Sequence, residues 1–178
     1  MFLGLISRRT RLGLRVIGLS PHRLLLDDGG QAEITVEPIV TRCGYRCDLC
    51  LAFERNVSED PGNRETLSDG WSRCYGFRIP PPEICCDGCL TEDAVLIDDG
   101  CPVRPCVIER GLDNCSQCES YPCARLEERT VTVEEIRERV GEDIPVEDYQ
   151  RFIRPYENRR RLDVLRGYDP GRATEAAE

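Results

Sequence analysis

The fold of this 178-residue chain is decided by the stretch Cys43-Gly44-Tyr45-Arg46-Cys47-Asp48-Leu49-Cys50, residues 43–50. Its three cysteines are followed by further close groups, which are Cys86-x2-Cys89, Cys101-x4-Cys106, Cys115-x2-Cys118 and Cys123. Two cysteines in a C-x2-C turn can supply half of a tetrahedral site to one soft metal ion. All twelve cysteines of the chain lie between residues 43 and 123. The pattern therefore predicts one metal-binding domain in this part of the chain.

Composition predicts that this domain depends on metal for its stability. Only 40% of the chain is hydrophobic and 6% is aromatic, so the core of the domain is expected to be thin. Small domains with thin cores commonly need disulfides or metal ions in addition to apolar packing. The segment 85–123 is rich in Gly, Pro, Asp and Asn, which is typical of turns. We therefore expect a small cysteine-rich, metal-stabilised domain that is mostly α and irregular, with a helical C-terminal extension.

Helical periodicity appears on both sides of this turn-rich segment. An apolar stripe before it is formed by Leu67, Trp71, Cys74 and Tyr75, which predicts that Cys74 is a buried apolar thiol. After the last cysteine, Thr132-x-x-Glu135 is a capping box that predicts a helix ending at Gly141. Pro145 is expected to begin a further helix, with an inner face of Val146, Tyr149, Phe152, Ile153 and Tyr156. The arginine run 159–161 is interpreted as a solvated helix face.

These patterns divide the chain into four parts. Residues 1–39 are an N-terminal extension that is either weakly structured or the product of a mis-annotated start. Residues 40–127 form the cysteine-rich metal-binding domain, and residues 128–166 form the helical extension. Residues 167–178 are predicted to be a disordered tail.

The N-terminus favours a cytoplasmic protein. Its apolar run ends after residue 6 and is followed, not preceded, by Arg8 and Arg9, unlike a secretory signal. No apolar run approaches the roughly 20 residues of a membrane span. Because disulfides are rare in a reducing compartment, the cysteines are interpreted as metal ligands.

The charge of the chain argues against nucleic acid as a partner. The formal net charge is -9, and residues 43–126 alone carry 8 Arg against 15 acidic residues. Each four-thiolate zinc site would add about -2 to this charge. Neutralisation of phosphates by basic side chains supplies most of the affinity for nucleic acid. We therefore expect a protein partner, with no nucleic acid and no membrane, and leave the oligomeric state open.

Zinc is the predicted metal because its protein ligands are mainly thiolates and imidazoles. The single histidine, His22, lies outside the cysteine block and is interpreted as an exposed loop residue. The spacing suggests one site from Cys47/Cys50 with Cys86/Cys89, and another from Cys101/Cys106 with two of Cys115, Cys118 and Cys123. Because spacing does not define connectivity, this pairing is a hypothesis. Two zinc ions are preferred, and three sites remain an alternative.

An iron–sulfur protein is the alternative class. The spacing Cys43-x3-Cys47-x2-Cys50 is the one by which radical enzymes that use S-adenosylmethionine hold a 4Fe-4S cluster. Those enzymes fold as a partial or full barrel of alternating strands and helices, and residues 51–178 lack this alternation. They also favour an aromatic residue before the third cysteine, where this chain has Leu49. An iron–sulfur cluster with a structural or electron-carrying role remains an alternative to zinc.

A catalytic role is less favoured than a binding role. A reactive thiol needs a basic partner that lowers its pKa, and His22 is remote in sequence. Arg46 stands beside Cys47, but it is one of 24 arginines. No phosphate-binding Gly loop and no Ser-His-Asp set is present in the sequence. Whether the protein is an enzyme is left open.

The same motifs resemble a bacterial and archaeal family, domain of unknown function 3795, over about residues 40–127. The shared features are Cys43-Gly44-x-x-Cys47-x-x-Cys50, a helix bearing Trp71, Cys86-Asp87-Gly88-Cys89, Cys101-x4-Cys106 and Gly111-x3-Cys115-x2-Cys118-x2-Tyr121-Pro122-Cys123. The resemblance implies zinc binding by ten cysteines, which are Cys43, Cys47, Cys50, Cys86, Cys89, Cys101, Cys106, Cys115, Cys118 and Cys123. Cys74 and Cys85 depart from the pattern and are interpreted as spare thiols. The resemblance implies no reaction.

Overall fold

The computed structural model describes residues 37–141 and 143–168. The helices in these ranges are α1 (Glu54–Glu59), α2 (Asn63–Tyr75), α3 (Val103–Glu109), α4 (Ala124–Glu127), α5 (Val133–Val140), α6 (Val146–Asp148) and α7 (Arg159–Leu165). Short 3-10 turns cover Cys47–Leu49, Pro81–Glu83 and Cys115–Gln117, and a π-helical turn covers Tyr149–Ile153. These ranges contain isolated β-bridges but no strand. The expected cysteine-rich, mostly α and irregular fold is thus confirmed, and no described helix is long and apolar enough to cross a membrane.

The structure describes most of the expected helical extension but little of the expected N-terminal extension. Most of the expected N-terminal extension, including His22, lies outside the described residues, as does the expected tail from residue 169 onward. The expected helical extension is described, and it packs into the same core as the cysteine-rich part. Ile136, Phe152 and Ile153 from this extension are buried in one cluster with Trp71.

Helix α2 is the centre of this first core. Its side chains Leu67, Trp71 and Cys74 are buried, as the periodicity predicted, and Cys74 is only 2% exposed. The helix ends at Gly76, which has a φ of 77° and donates its N–H to the carbonyl oxygen of Trp71 at 3.1 Å. A left-handed glycine of this kind is a common way to end a helix. Cys74 is therefore an apolar core thiol.

Gly70 sets the distance between α2 and the C-terminal helices. A Cβ atom placed on Gly70 would lie 2.2 Å from Cε1 of Phe152, far inside van der Waals contact. The missing side chain lets the Phe152 ring lie directly against the backbone of α2. The Tyr75 hydroxyl donates to the carbonyl oxygen of Phe152 at 2.7 Å. These two contacts attach the π-helical turn to α2.

Helix α5 has the boundaries that the sequence predicted. Thr132 is its N-cap, and the Thr132 hydroxyl and the Glu135 carboxylate each accept a backbone N–H in a complete capping box. Gly141 ends the helix at a φ of 99°. Ile136 is buried in the first core, with Val133 and Val140 packed against it.

A second core joins α3, α4 and α7 to three cysteines. Its buried members are Cys43, Cys101, Val103, Val107, Cys115, Leu126 and Leu162. Helix α7 approaches the first cysteine loop closely because Gly44 has no side chain. A Cβ atom on Gly44 would lie 2.8 Å from Cγ of Leu162, and its φ of 92° is rarely adopted by other residues. A helix of the predicted extension therefore packs directly against the cysteine-rich part.

Two details differ from the sequence-based expectation. Helix α3 lies inside segment 85–123, which was expected to consist mainly of turns; it can begin at Val103 because Pro105 falls in its first turn, where a missing N–H costs no helical hydrogen bond. Val146 is 76% exposed instead of lying on an inner face, since it begins α6 ahead of the turn that contacts α2.

Candidate metal centre

The first thiol group consists of four cysteines from two C-x2-C segments, Cys47, Cys50, Cys86 and Cys89. In the first segment the Cys50 N–H donates to the Cys47 carbonyl oxygen at 3.0 Å, which closes a 3-10 turn. The Cys86 N–H donates to the carbonyl oxygen of Ala52 at 2.8 Å. The Cys86 carbonyl oxygen accepts the N–H of Glu54 at 2.9 Å. This short parallel bridge holds the two C-x2-C segments side by side.

Backbone N–H groups lie close to two cysteines of the first thiol group. The N–H of Cys89 lowers the pKa of Cys47, and those of residues 52 and 53 lower the pKa of Cys50, in both cases against the larger effect of burial. Gly88 allows the chain to pass close to Cys47, because it has a φ of 86° and a Cβ atom there would lie 3.3 Å from Cys47 Sγ. Polar N–H groups near a sulfur favour a thiolate over a thiol.

Tyr156 adds a side-chain donor to the same group. Its hydroxyl oxygen lies 3.3 Å from Cys50 Sγ and accepts the indole N–H of Trp71 at 3.2 Å. With its oxygen already accepting from Trp71, the hydroxyl can donate to the sulfur. Burial, followed by the charge of Cys50, raises the pKa of Tyr156 well above its usual value, so the hydroxyl stays protonated. Sequence reasoning placed Tyr156 on an inner helix face but missed its contact with a cysteine 106 residues away.

The cysteines of the first thiol group are neutral thiols at neutral pH. Burial, and then neighbouring cysteines, raise the pKa of Cys47 and Cys89 to about 12. Burial also raises the pKa of Cys50, against the hydrogen bond from Tyr156. Crowded thiolates repel one another, so several can lose their protons together only where a positive charge compensates them. A divalent metal ion would supply such a charge.

The second thiol group consists of four cysteines from α3, the turn after it and the start of α4, namely Cys106, Cys115, Cys118 and Cys123. The Cys118 N–H donates to the Cys115 carbonyl oxygen at 3.1 Å, as in the first turn. The φ and ψ of Cys118, -77° and 132°, are close to the -79° and 123° of Cys50. Burial raises the pKa of Cys115 to about 12, and the next contributions come from Cys123, Cys43, Cys118 and Cys106. The chain thus repeats one turn geometry in both groups.

Two arginines lie beside the second thiol group. Arg110 Nη1 lies 3.5 Å from Cys118 Sγ and is oriented as a donor to it. Arg125 is close enough to Cys106 for that thiol to raise the pKa of Arg125. Sequence reasoning missed both arginines, although Arg110 follows Cys106 by four residues on one helix face and Arg125 comes two residues after the last cysteine.

Helix α7 and its flanks bind the loops that carry the cysteines. Arg166 donates to two carbonyl oxygens of the second turn, those of Ser116 and Cys118, at 2.7 and 2.9 Å. The buried Asn158 donates to the carbonyl oxygen of Cys43 at 3.0 Å. Arg161 donates to the carbonyl oxygen of residue 44 at 3.2 Å. The interpretation of the arginine run as a solvated face is therefore wrong for Arg161.

Cys43 and Cys101 form a central pair between the two thiol groups. Both are buried, at 3% and 8% exposure. Burial is the main cause of the raised pKa of Cys43, and Cys101 adds to it. Cys43 also acts on the pKa of Cys47, Cys89 and Cys115. The central pair therefore connects the two groups electrostatically.

The spatial arrangement differs in one respect from the pairing that the spacing suggested. Cys47 and Cys50 do lie with Cys86 and Cys89, as expected from the spacing. Cys106, however, lies with all three later cysteines, while Cys101 neighbours Cys43 and Cys89. The other two cysteines behave differently from these ten. Cys74 lies near Arg73 and Asp148, and Cys85 is half-buried beside Cys86.

The sulfurs are neighbours without converging on common points. All twelve cysteines lie among the described residues, and none is in a disulfide. In the part of the chain that the structure describes, no three His, Cys, Asp or Glu side chains are placed closely enough to hold a metal ion. The donor set nevertheless fits zinc chemically, because each group offers four thiols on turns with backbone and side-chain donors around them. Metal binding would require these side chains to rotate toward one another.

A cysteine-rich helical domain with two four-thiol groups is the class that the fold and the site define. The profile of the family described as a protein of unknown function, DUF3795, matches residues 39–128, just over half of the chain. The chain belongs to this family. No significant match was found among curated proteins or among solved structures.

Proposed function

We propose that the protein binds two zinc ions, one in each thiol group, and that the metal is mainly structural. The observation that carries this proposal is the first thiol group, in which two C-x2-C segments are held side by side by backbone hydrogen bonds and a short parallel bridge. The repeated turn at Cys115 and Cys118 supports a second site of the same kind. Because four thiolates complete a tetrahedral site, these ions would stabilise the fold without an open position for catalysis.

The wider role that we propose is that of a cytoplasmic protein-interaction module. Free thiols throughout the cysteine-rich part agree with a reducing compartment. The excess of acidic residues in segment 43–126 would increase further with two thiolate-bound zinc ions, so the expected partner is a protein with a basic surface. Charge of this sign opposes docking on nucleic acid.

An iron–sulfur cluster held by Cys43, Cys47 and Cys50 is the competing hypothesis. The neighbours of these three cysteines favour zinc instead. Cys43 is paired with Cys101, and Cys50 neighbours Cys86 and the Tyr156 hydroxyl. A cluster with three of its ligands at 43, 47 and 50 would therefore have to draw Cys43 out of the second core.

Metal analysis of anaerobically purified protein tests the proposal directly. We expect a colourless protein with about two equivalents of zinc per chain. Cys47→Ser and Cys118→Ser should each lose about one equivalent, whereas Cys74→Ala, a change at a buried cysteine outside both groups, should keep both. A brown protein that contains iron and sulfide would establish the competing hypothesis. Absence of both metals, or two zinc ions retained by both serine variants, would refute the zinc sites.

A further inference from the structure

A cavity of about 550 Å³ lies between the start of α5 and the start of α7. Five of the side chains that line it are charged, namely Glu134, Glu157, Asp163, Arg159 and Arg160. Its volume falls within the range of roughly 300–1,000 Å³ that is usual for binding sites. All of its lining residues come after residue 128, where the match to the family ends. The C-terminal extension therefore builds this cavity by itself.

Two carboxylates of the cavity are fixed in place by tyrosine hydroxyls. The Tyr149 hydroxyl donates to Oε2 of Glu157 at 2.6 Å. The Tyr121 hydroxyl donates to Oδ1 of Asp163 at 2.5 Å. In each case the second carboxylate oxygen has no hydrogen-bond partner among the residues that the structure describes. A ligand would therefore meet carboxylates that are already ordered, which lowers the entropic cost of binding.

The charge of Arg159 is compensated by its neighbours. Its Nη1 donates to Oε1 of Glu127 at 2.7 Å, and its Nε lies 3.5 Å from Oδ1 of Asp163. Its guanidinium group also lies over the ring of Tyr121, 5.3 Å from the ring centre. Arg159 therefore adds little to the net charge that a ligand would meet in the cavity.

The remaining charges of the cavity are unequal in sign. Glu134, Glu157 and Arg160 form no ion pair within residues 37–141 and 143–168. Glu134 and Arg160 are exposed, and Glu157 is half-buried, so solvent reaches all three. The cavity thus offers two unpaired carboxylates and one unpaired guanidinium group. This balance favours a cationic ligand over an anionic one.

We infer that this cavity is the docking site for a basic side chain of the partner protein. The inference rests on the proposed interaction role, for which the acidic surface indicated a partner with a basic surface. It deepens that role, because it identifies the cavity and the residues that recognise the partner. Glu134 and Glu157 attract the incoming cation, and Arg160 opposes it.

These residues have opposite expected effects on binding. A single charge about 5 Å from a cation in screened water changes the affinity roughly twofold. Loss of both carboxylates in Glu134→Gln/Glu157→Gln should therefore weaken binding about fivefold. Loss of the guanidinium group in Arg160→Gln should strengthen binding roughly twofold. Residues that only supported the fold would not act in opposite directions.

Amide chemical shifts of the ¹⁵N-labelled full chain test the inference. The probe is the peptide acetyl-Ala-Arg-Ala-amide, titrated at low salt. The matched probe, acetyl-Ala-citrulline-Ala-amide, has nearly the same shape but no charge. The control variant Glu59→Gln/Glu65→Gln removes two exposed carboxylates of α1 and α2 that do not line the cavity. The zinc content of each sample is measured in parallel.

We expect saturable shifts at residues 131–134 and 157–163 with the arginine peptide and none with the citrulline peptide. The Kd should rise about fivefold in the double carboxylate variant, fall roughly twofold in Arg160→Gln and stay unchanged in the control. Absence of saturable shifts at the cavity, equal binding of the two peptides, or an unchanged Kd in the carboxylate variant would overturn the docking site, whatever the zinc content. A chain that binds the arginine peptide as expected but contains no zinc would refute the zinc sites and leave the docking site in place.

Discussion

The contact between Gly70 and Phe152 leads to a quantitative prediction about how α2 holds the C-terminal helices. In Gly70→Ala, the new methyl group would lie 2.2 Å from Cε1 of Phe152, so the ring must retreat by more than about 1 Å to reach normal contact. Overpacking of this kind costs about 3 kcal/mol at the upper end of its usual range. Alanine is favoured over glycine inside a helix by about 1 kcal/mol, which leaves a net loss of about 2 kcal/mol.

Thermal and denaturant unfolding of the metal-loaded chain measure this loss. The expected fall in Tm is roughly 4–8 °C for a domain of this size. Gly100→Ala is the matched control, because no atom lies within 4 Å of a Cβ atom at that position, and it should change stability by less than about 0.5 kcal/mol. In a double-mutant cycle, the Phe152→Leu background should reduce the Gly70→Ala penalty by at least about 1 kcal/mol. A Gly70→Ala protein as stable as wild type, or a penalty independent of the Phe152 side chain, would refute the proposed packing.

Three further predictions concern the metal and the contacts that surround it. Removal of metal by a strong chelator should abolish the cooperative unfolding transition and the near-ultraviolet circular dichroism, since folding free energy and metal binding are linked; retention of both would contradict a structural metal. Tyr156→Phe should cost about 1–3 kcal/mol and alter Trp71 fluorescence, because the indole N–H loses its acceptor, whereas Tyr168→Phe at an exposed position should do neither. Asn158→Ala should cost about 1–3 kcal/mol and Arg166→Gln somewhat less, as both leave loop carbonyl oxygens without donors; equal stability of either variant and wild type in urea would argue against the role of α7.

Local patterns in the sequence predicted the features that depend on neighbours along the chain. The periodicity of Leu67, Trp71 and Cys74 predicted the buried face of α2, because a helix places these positions on one side whatever lies against them. Thr132 and Gly141 predicted both ends of α5, since capping hydrogen bonds form within one turn. The prediction for Val146 was wrong, because burial depends on a partner surface and not on periodicity alone.

The sequence predicted a set of candidate ligands but not their arrangement. Spacing singled out ten cysteines and brought Cys47 and Cys50 together with the later C-x2-C segment. It assigned Cys101 and Cys106 to one site, whereas Cys101 lies beside Cys43 and Cys89 instead. A short loop limits how far two cysteines can separate, but it leaves open which distant loop packs against them.

The sequence by itself determined that twelve cysteines lie in one thiol-rich segment, that ten of them follow a family pattern, and that α2 and α5 lie on either side of the turn-rich segment 85–123. Only the tertiary structure decided how these cysteines divide into two groups and a central pair, and which residues surround them. Tyr156 meets Cys50 across 106 residues, and Asn158 meets Cys43 across 115. The physical reason is that such contacts follow from the packing of whole helices, for which Gly44 and Gly70 leave the necessary space. No local propensity encodes that packing.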